Sequence, residues 1–243
     1  MKFPEPFIQV TLVKRYKRFL ADVIWSNGRE MTVHCPNPGS MMGLAEPGMA
    51  VFLSDSHNPK RKLRFTLEAV QIGHDLVLVN TSRPNSIVQE ALEQKLIPEL
   101  RAYSEIRAEV NYGQEKSRID FLLKEGSQSC WVEIKGVTLA EAEVGYFPDS
   151  VTKRGTKHLR ELGRIARQGK DKAVLLYLVC RPDVKVVRPA ARIDPDYARA
   201  LIAAKRAGVD ILAYKIAIDK ESVVVNSTCP VQLYSRDLGP LKS

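Results

Sequence analysis

Ser117-Arg118-Ile119-Asp120-Phe121-Leu122-Leu123 and, shortly after it, Cys130-Trp131-Val132-Glu133-Ile134-Lys135 are two apolar runs interrupted by single charged residues. Side chains alternate across a strand. Ile119, Phe121 and Leu123 are therefore expected on one face with Asp120 on the other, and Trp131, Glu133 and Lys135 opposite Val132 and Ile134. Residues two apart on a strand face lie about 7 Å apart, and adjacent strands about 4.8 Å apart, so Asp120, Glu133 and Lys135 are expected to address one site. Two carboxylates suit a hard divalent cation, Mg²⁺ or Mn²⁺, which takes oxygen ligands and keeps waters that phosphate can replace. The Ile134 carbonyl is a natural further ligand. A metal at this point activates water and stabilises charge on an attacked phosphate, and the lysine orients that water or offsets the charge.

The acid-x-Lys pattern alone says little, because it occurs at Glu93–Lys95, Glu133–Lys135 and Asp183–Lys185. The first falls in a helical pattern and the last follows Pro182 in a loop, so only the middle one has strand context. The plain alternative is a solvated cross-strand ion pair worth little energy. Trp131 on the same face argues for cover, and unpaired charge under cover is costly.

Outward from this pair, residues 84–243 mix helices and strands. Ile87, Val88, Ala91, Leu92 and Leu96 fall on one side of a helix ending near Pro98. Strands are expected at Arg107–Tyr112, Arg118–Leu123, Cys130–Leu139, Ala173–Cys180, Asp210–Ile218 and Val223–Asn226, and helices at Thr152–Gln168 and Asp194–Ala207. That order describes a mixed sheet flanked by helices. Residues 1–83 read differently, as strands at Phe19–Trp25, Glu30–Cys35, Ala50–Ser54, Phe65–Ile72 and Leu76–Thr81, separated by turns such as Asn27-Gly28 and Pro47-Gly48. Five short strands suggest a small closed barrel of the OB type, a sandwich being the alternative. The expected fold class is thus α+β or α/β, with a barrel over 1–83 and an α/β domain over 84–243.

The chain has 243 residues, 44% hydrophobic and 27% charged, with a net charge of +9, the balance of a globular protein with a basic surplus. Such a surplus favours polyanions. Its placement is more telling. Lys153, Lys157, Arg160, Arg164 and Arg167 are spaced by four, three, four and three residues, one continuous helix face about 21 Å long, with Arg154 beside it. Leu159, Leu162, Ile165 and Ala166 supply a separate apolar side. Lys14-Arg15-Tyr16-Lys17-Arg18 interleaves cations with an aromatic ring at the start of the first expected strand, and Lys60, Arg61, Lys62 and Arg64 precede the fourth. Both suit a groove that tracks a nucleic-acid backbone.

The N-terminus lacks an apolar signal core, and the longest apolar run, Ala173–Cys180, is far short of the ~20 residues of a membrane helix. The four cysteines are scattered and read as buried thiols of a reducing cytoplasm. His34-Cys35 has no second pair to complete a zinc site.

Arg15-Tyr16-Lys17-Arg18-Phe19-Leu20-Ala21-Asp22-Val23, His34-Cys35-Pro36-Asn37-Pro38-Gly39-Ser40-Met41, Ser117–Phe121, Gly145-Tyr146-Phe147-Pro148-Asp149 and Arg154-Gly155-Thr156-Lys157-His158-Leu159-Arg160-Glu161-Leu162 resemble the sugar fermentation stimulation protein A family. The resemblance implies an N-terminal OB-like domain, a C-terminal domain similar to the PD-(D/E)xK nucleases, DNA binding of little sequence preference, and a regulatory link to sugar, especially maltose, utilisation. Asp120 then matches the first nuclease acid, Glu133 the second and Lys135 the lysine. Glu90 matches a further acid on the preceding helix, although it points away from the Val88 and Leu92 stripe. Ile119 replaces the signature proline. The expected protein binds double- or single-stranded DNA and keeps a Mg²⁺-dependent phosphodiesterase site. A non-catalytic regulator on the same scaffold and an RNA-directed factor are the alternatives.

Overall fold

The computed structural model describes residues 1–113 and 117–233, so the last ten residues of the expected second domain lie outside the described residues. Six strands build the first half: β1 Ile8–Tyr16, β2 Leu20–Ile24, β3 Glu30–His34, β4 Ala50–Asp55, β5 Phe65–Ile72 and β6 Asp75–Leu78. They run in the order β3-β2-β1-β4-β5-β6, and His34 pairs with Thr66 to join β3 to β5. That contact closes β1–β5 into the OB-type barrel and leaves β6 as a hairpin extension of β5. Val10, Leu12, Val23, Val33, Val51, Leu53 and Leu67 fill the interior. The first strand is Ile8–Tyr16, which the sequence reading passed over. Phe19 lies in the turn between β1 and β2 rather than opening a strand.

The second half begins with α1 Arg83–Glu93, followed by β7 Glu105–Tyr112, β8 Ser117–Glu125, β9 Gln128–Val137, β10 Leu139–Glu141 and β11 Val144–Phe147. Then come α2 Lys153–Gln168, β12 Lys172–Val179, β13 Val186–Pro189, α3 Pro195–Arg206, β14 Asp210–Ile218 and β15 Val223–Thr228. The main sheet runs β15-β14-β12-β9-β8-β7, with β9, β12 and β14 parallel and the other pairings antiparallel. It is the mixed sheet flanked by helices expected for residues 84–243. The expected strand Cys130–Leu139 breaks at Thr138, and its end leaves the sheet as β10 to form a small sheet with β11 and β13.

The two faces of the main sheet bury different partners. Val132, Ile134, Val174 and Leu176 pack under α1 through Ile87, Val88 and Ala91. Leu175, Tyr177 and Val179 pack under α2 and α3 through Leu159, Leu162, Tyr197 and Leu201. Gly163 faces Ala204 and Ala207 where α2 meets α3.

The first of these cores runs on into the barrel, taking in Phe52, Ala69 and Leu78. Backbone bonds reinforce the joint. Leu78 N–H donates to Cys180, while Phe3 and Phe7 donate to Glu221 and Lys220. Residues 1–7 thus pack on the second half. A further tie explains the Pro36–Met41 segment. Arg15 donates to the carbonyls of Asn37 and Gly39 at 2.6 and 2.9 Å, Asn37 Nδ2 donates to Val79, and Ser40 N–H donates to Asp149 Oδ2 at 3.0 Å. A Cβ on Gly39 would lie 2.1 Å from Asp149 Oδ2, so only glycine allows that approach.

Candidate nucleic-acid and metal site

β8 and β9 pair from Glu125↔Gln128 to Phe121↔Val132 and then part. Asp120 is the first residue beyond the last pair. Its carboxylate occupies the place of the missing strand contact: Oδ2 accepts the Ile134 N–H at 2.7 Å, and Oδ1 accepts Asn85 Nδ2 from the first turn of α1 at 2.9 Å. The simple alternation expected for β8 fails here. Ile119 packs under α2 and α3, whereas Phe121 and Leu123 pack under α1. The strand changes face at Asp120, which is why its carboxylate turns toward β9 rather than straight away from the sheet.

Glu133 is 2% exposed and Lys135 shares its face. Lys135 Nζ donates to Glu133 Oε1 at 2.5 Å, and His158 Nδ1–H on α2 donates to the same oxygen. Arg154 Nε donates to His158 Nε2 at 3.4 Å, which places the ring proton on Nδ1. Oε1 is therefore shared by two donors, while Oε2 is buried with no hydrogen-bond partner. Burial pushes Asp120 above the usual carboxylate range, and repulsion from Glu133 adds to it. Burial also acts on Glu133, but the His158 bond and the Lys135 charge outweigh it and hold that carboxyl below its usual value.

These residues fit a hard divalent cation. Lys135 balances the Glu133 charge through Oε1, but Oε2 is buried without a donor and stands next to the half-buried Asp120 carboxylate, so this oxygen lacks the polar partner that burial ordinarily requires. Among the described residues no three His, Cys, Asp or Glu side chains gather around one point. The protein thus offers two carboxylates and leaves the remaining positions to backbone carbonyl, water and phosphate, the pattern that suits Mg²⁺.

Glu90 is not brought to this point. It pairs with the Met1 amino group and accepts from Gln94 Nε2 at 3.2 Å. The α1 residue that reaches Asp120 is Asn85, which the sequence reading missed. Its signal was available: Asn85, Val88 and Leu92 share one helical stripe, and a polar residue on a buried stripe needs a partner. His158 was legible in the same way, lying four residues before Leu162 on the packed side of α2.

The basic residues divide. Lys153, Arg154, Arg160 and Arg167 are exposed along α2, and Lys157 and Arg164 are half-buried, with Arg164 bonded to Glu161 at 2.5 Å. Lys17, Arg18, Lys60, Arg61 and Lys62 are exposed on the barrel. Other expected contacts are engaged internally. Arg15 organises the 37–40 loop, Tyr16 donates to Asp22 at 3.0 Å with Lys14 over its ring, and Arg64 clasps Asp55 at 2.8 and 2.9 Å.

A cleft of about 380 Å³ opens between barrel and second half, lined by Arg18, Asn37, Asn85, Ile134, Phe147 and Asp149 among others. Two of its lining residues, Asn85 and Ile134, are the groups that hold Asp120. Among the described residues no helix is long and apolar enough to cross a membrane, and all four cysteines are buried and free.

Two family descriptions match the chain: the "SfsA N-terminal OB domain" over residues 13–79 and the "Sugar fermentation stimulation protein RE domain" over residues 82–222. A sugar fermentation stimulation protein homolog of Geobacter metallireducens is 48% identical over 233 residues, covering 96% of this chain and all of the relative. A solved structure of Pyrococcus furiosus SfsA in complex with Ca²⁺ superposes with a TM-score of 0.86 at 26% identity, covering 96% of this chain and 98% of that one.

Proposed function

The chain belongs to the sugar fermentation stimulation protein family, and from that premise we propose that it is a cytoplasmic DNA-binding protein of low sequence preference with a Mg²⁺- or Mn²⁺-dependent phosphodiesterase site. The observation that carries the reading is the buried, partnerless Glu133 Oε2 beside the half-buried Asp120 carboxylate, reached from a helix lined with cations. In this proposal the division falls near residue 84, with a nucleic-acid-binding barrel before it and the catalytic domain after it. A calcium complex of the Pyrococcus furiosus relative supports the choice of a hard cation.

Asp120 and Glu133 would hold the metal, with the Ile134 carbonyl as a further oxygen. A divalent cation bound there lowers the pKa of a coordinated water and offsets charge on a phosphate oxygen. The Ile134 and Asn85 donors fix the Asp120 carboxylate while leaving it lone pairs. Lys135 and His158 occupy Glu133 Oε1, so Oε2 is the oxygen that would be left to take a cation. Lys135 also orients the attacking water. Exposed cations of α2 grip the phosphate backbone. Such contacts position the nucleic acid without reading bases, which accounts for low sequence preference.

A non-catalytic DNA-binding regulator linked to sugar use is the second reading. It is favoured by Lys135, whose ammonium already neutralises Glu133 without a metal. Incubation of plasmid and single-stranded DNA with Mg²⁺ or Mn²⁺ separates the two. The enzyme reading expects cleavage by the wild type that is lost in Asp120→Ala and Lys135→Ala while binding persists. Intact binding without cleavage in either metal would leave the regulator. Preference for RNA over DNA of matched length would redirect the substrate assignment.

A further inference from the structure

Few large apolar side chains stand exposed among the described residues, and three of them, Phe19 at 47%, Met42 at 58% and Val151 at 68%, sit on segments tied to one another. Arg15 donates to the carbonyls of Arg18, Asn37 and Gly39, which binds the Phe19 turn to the 37–42 loop. Ser40 N–H reaches Asp149, and Ser40 Oγ accepts the Met42 N–H at 3.4 Å. Val151 lies between Ser150 and Thr152, both of which line the cleft, as does Arg18. The three apolar groups therefore sit on segments that border one cleft, each within three residues of a lining residue, and Asn85 and Ile134 line the same cleft.

The backbone at this rim is unusual. Lys17, Arg18 and Met41 hold φ values of 49°, 62° and 51°, left-handed conformations that side chains other than glycine seldom adopt. Both turns that present the apolar groups contain such residues. Strain of this kind concentrates where a surface is shaped for a ligand. The surrounding charge is positive: Lys17 and Arg18 precede the Phe19 ring, and Lys153 and Arg154 follow Val151 by two and three residues, all four exposed.

We propose that this rim is a stacking lip for an unpaired nucleotide, so that the protein engages nucleic acid where single strand meets duplex. The inference rests on the nucleic-acid reading above and specifies the substrate class. Exposed aromatic rings flanked by cations hold single strands by stacking bases while the cations track the phosphates. In the lip, Phe19 receives the unpaired base, Met42 and Val151 supply apolar contact, and the cations on either side take the phosphates. The cleft then leads the strand toward Asp120.

The test compares a blunt DNA duplex with the same duplex bearing a short single-stranded tail, by fluorescence anisotropy in Ca²⁺, with 2-aminopurine as the first unpaired base. The proposal expects the tailed duplex to bind about tenfold tighter and the probe to be quenched on binding. Phe19→Ala should abolish both the preference and the quenching while leaving affinity for the blunt duplex unchanged, and Phe19→Trp should restore them. Because Phe19 is exposed, neither variant disturbs the core. Equal binding of the two duplexes, or a preference and quenching that survive Phe19→Ala, overturns the lip and leaves the nucleic-acid reading standing. Absence of binding to either duplex overturns both.

Discussion

At the scale of single residues, one buried carboxylate away from the site is fully satisfied. Glu68, 1% exposed, accepts from Ser54, Asn80 and Arg83, which join the barrel to the start of α1. Removing one partner of a buried ion pair leaves an uncompensated charge. Arg83→Met should therefore destabilise the protein by about 3 kcal/mol, read as a lower urea midpoint, whereas the exposed Arg167→Met should change it by less than about 0.5 kcal/mol. An Arg83→Met midpoint equal to wild type would mean Glu68 is adequately held by its neutral donors. Gly39 and Asp149 form a pair of another kind, set by close approach rather than charge. Gly39→Ala and Asp149→Ala should each destabilise, and the double variant should cost less than their sum, because removing the Asp149 carboxylate clears the space the new methyl needs.

At the scale of elements, α2 performs three tasks with separate faces. Leu159 and Leu162 anchor it to the sheet, His158 meets Glu133, and the exposed cations face solvent. Since phosphate contacts release counterions, log affinity for DNA should fall linearly with log salt. Replacing Lys153 and Arg167 together by Ala should lower that slope by about 2 and weaken binding alike on unrelated sequences. A slope unchanged in the variant would place the DNA elsewhere. The α2 face was readable from spacing alone, as were α3, β12 and β14, whose long periodic runs carry their own signal. The misses have local causes. β11 contains Gly145, a poor strand residue, required because a Cβ there would meet Val184 at 2.9 Å and Val137 at 3.0 Å. β13 has four residues and ends in Pro189, which reads as a loop. β1 alternates properly, with Val10 and Leu12 inward, but its cationic end drew attention from its apolar beginning. In the site, Glu133 and Lys135 share a face as strand register predicts, whereas Asp120 reaches them because β8 changes face there rather than by simple alternation. Asn85 replaced Glu90 because the phase of a short helix against a distant strand depends on packing that local pattern does not carry.

At the scale of the whole molecule, the two halves distinguished in the sequence share a core. Phe52, Ala69 and Leu78 of the barrel lie in the same cluster as Val132 and Leu176 of the main sheet, and residues 1–7 are bonded to the far half. Separation would expose that apolar surface, so the halves should unfold together. The chain's two tryptophans, Trp25 in the barrel half and Trp131 on β9, report on each half. Trp25→Phe and Trp131→Phe variants should each show one fluorescence transition at coinciding urea midpoints once their stabilities are matched. Two well-separated transitions would show independent domains.

Where β8 and β9 part, the half-buried Asp120 carboxylate lies by the buried Glu133, whose Oε2 has no donor. Calorimetric titration of the protein with Mn²⁺, in the absence of nucleic acid, addresses this most directly. Wild type is predicted to bind with a saturable isotherm that both Asp120→Asn and Glu133→Gln abolish while their folds, judged by circular dichroism, remain intact. Binding undiminished in the two variants, or none by wild type, would contradict it.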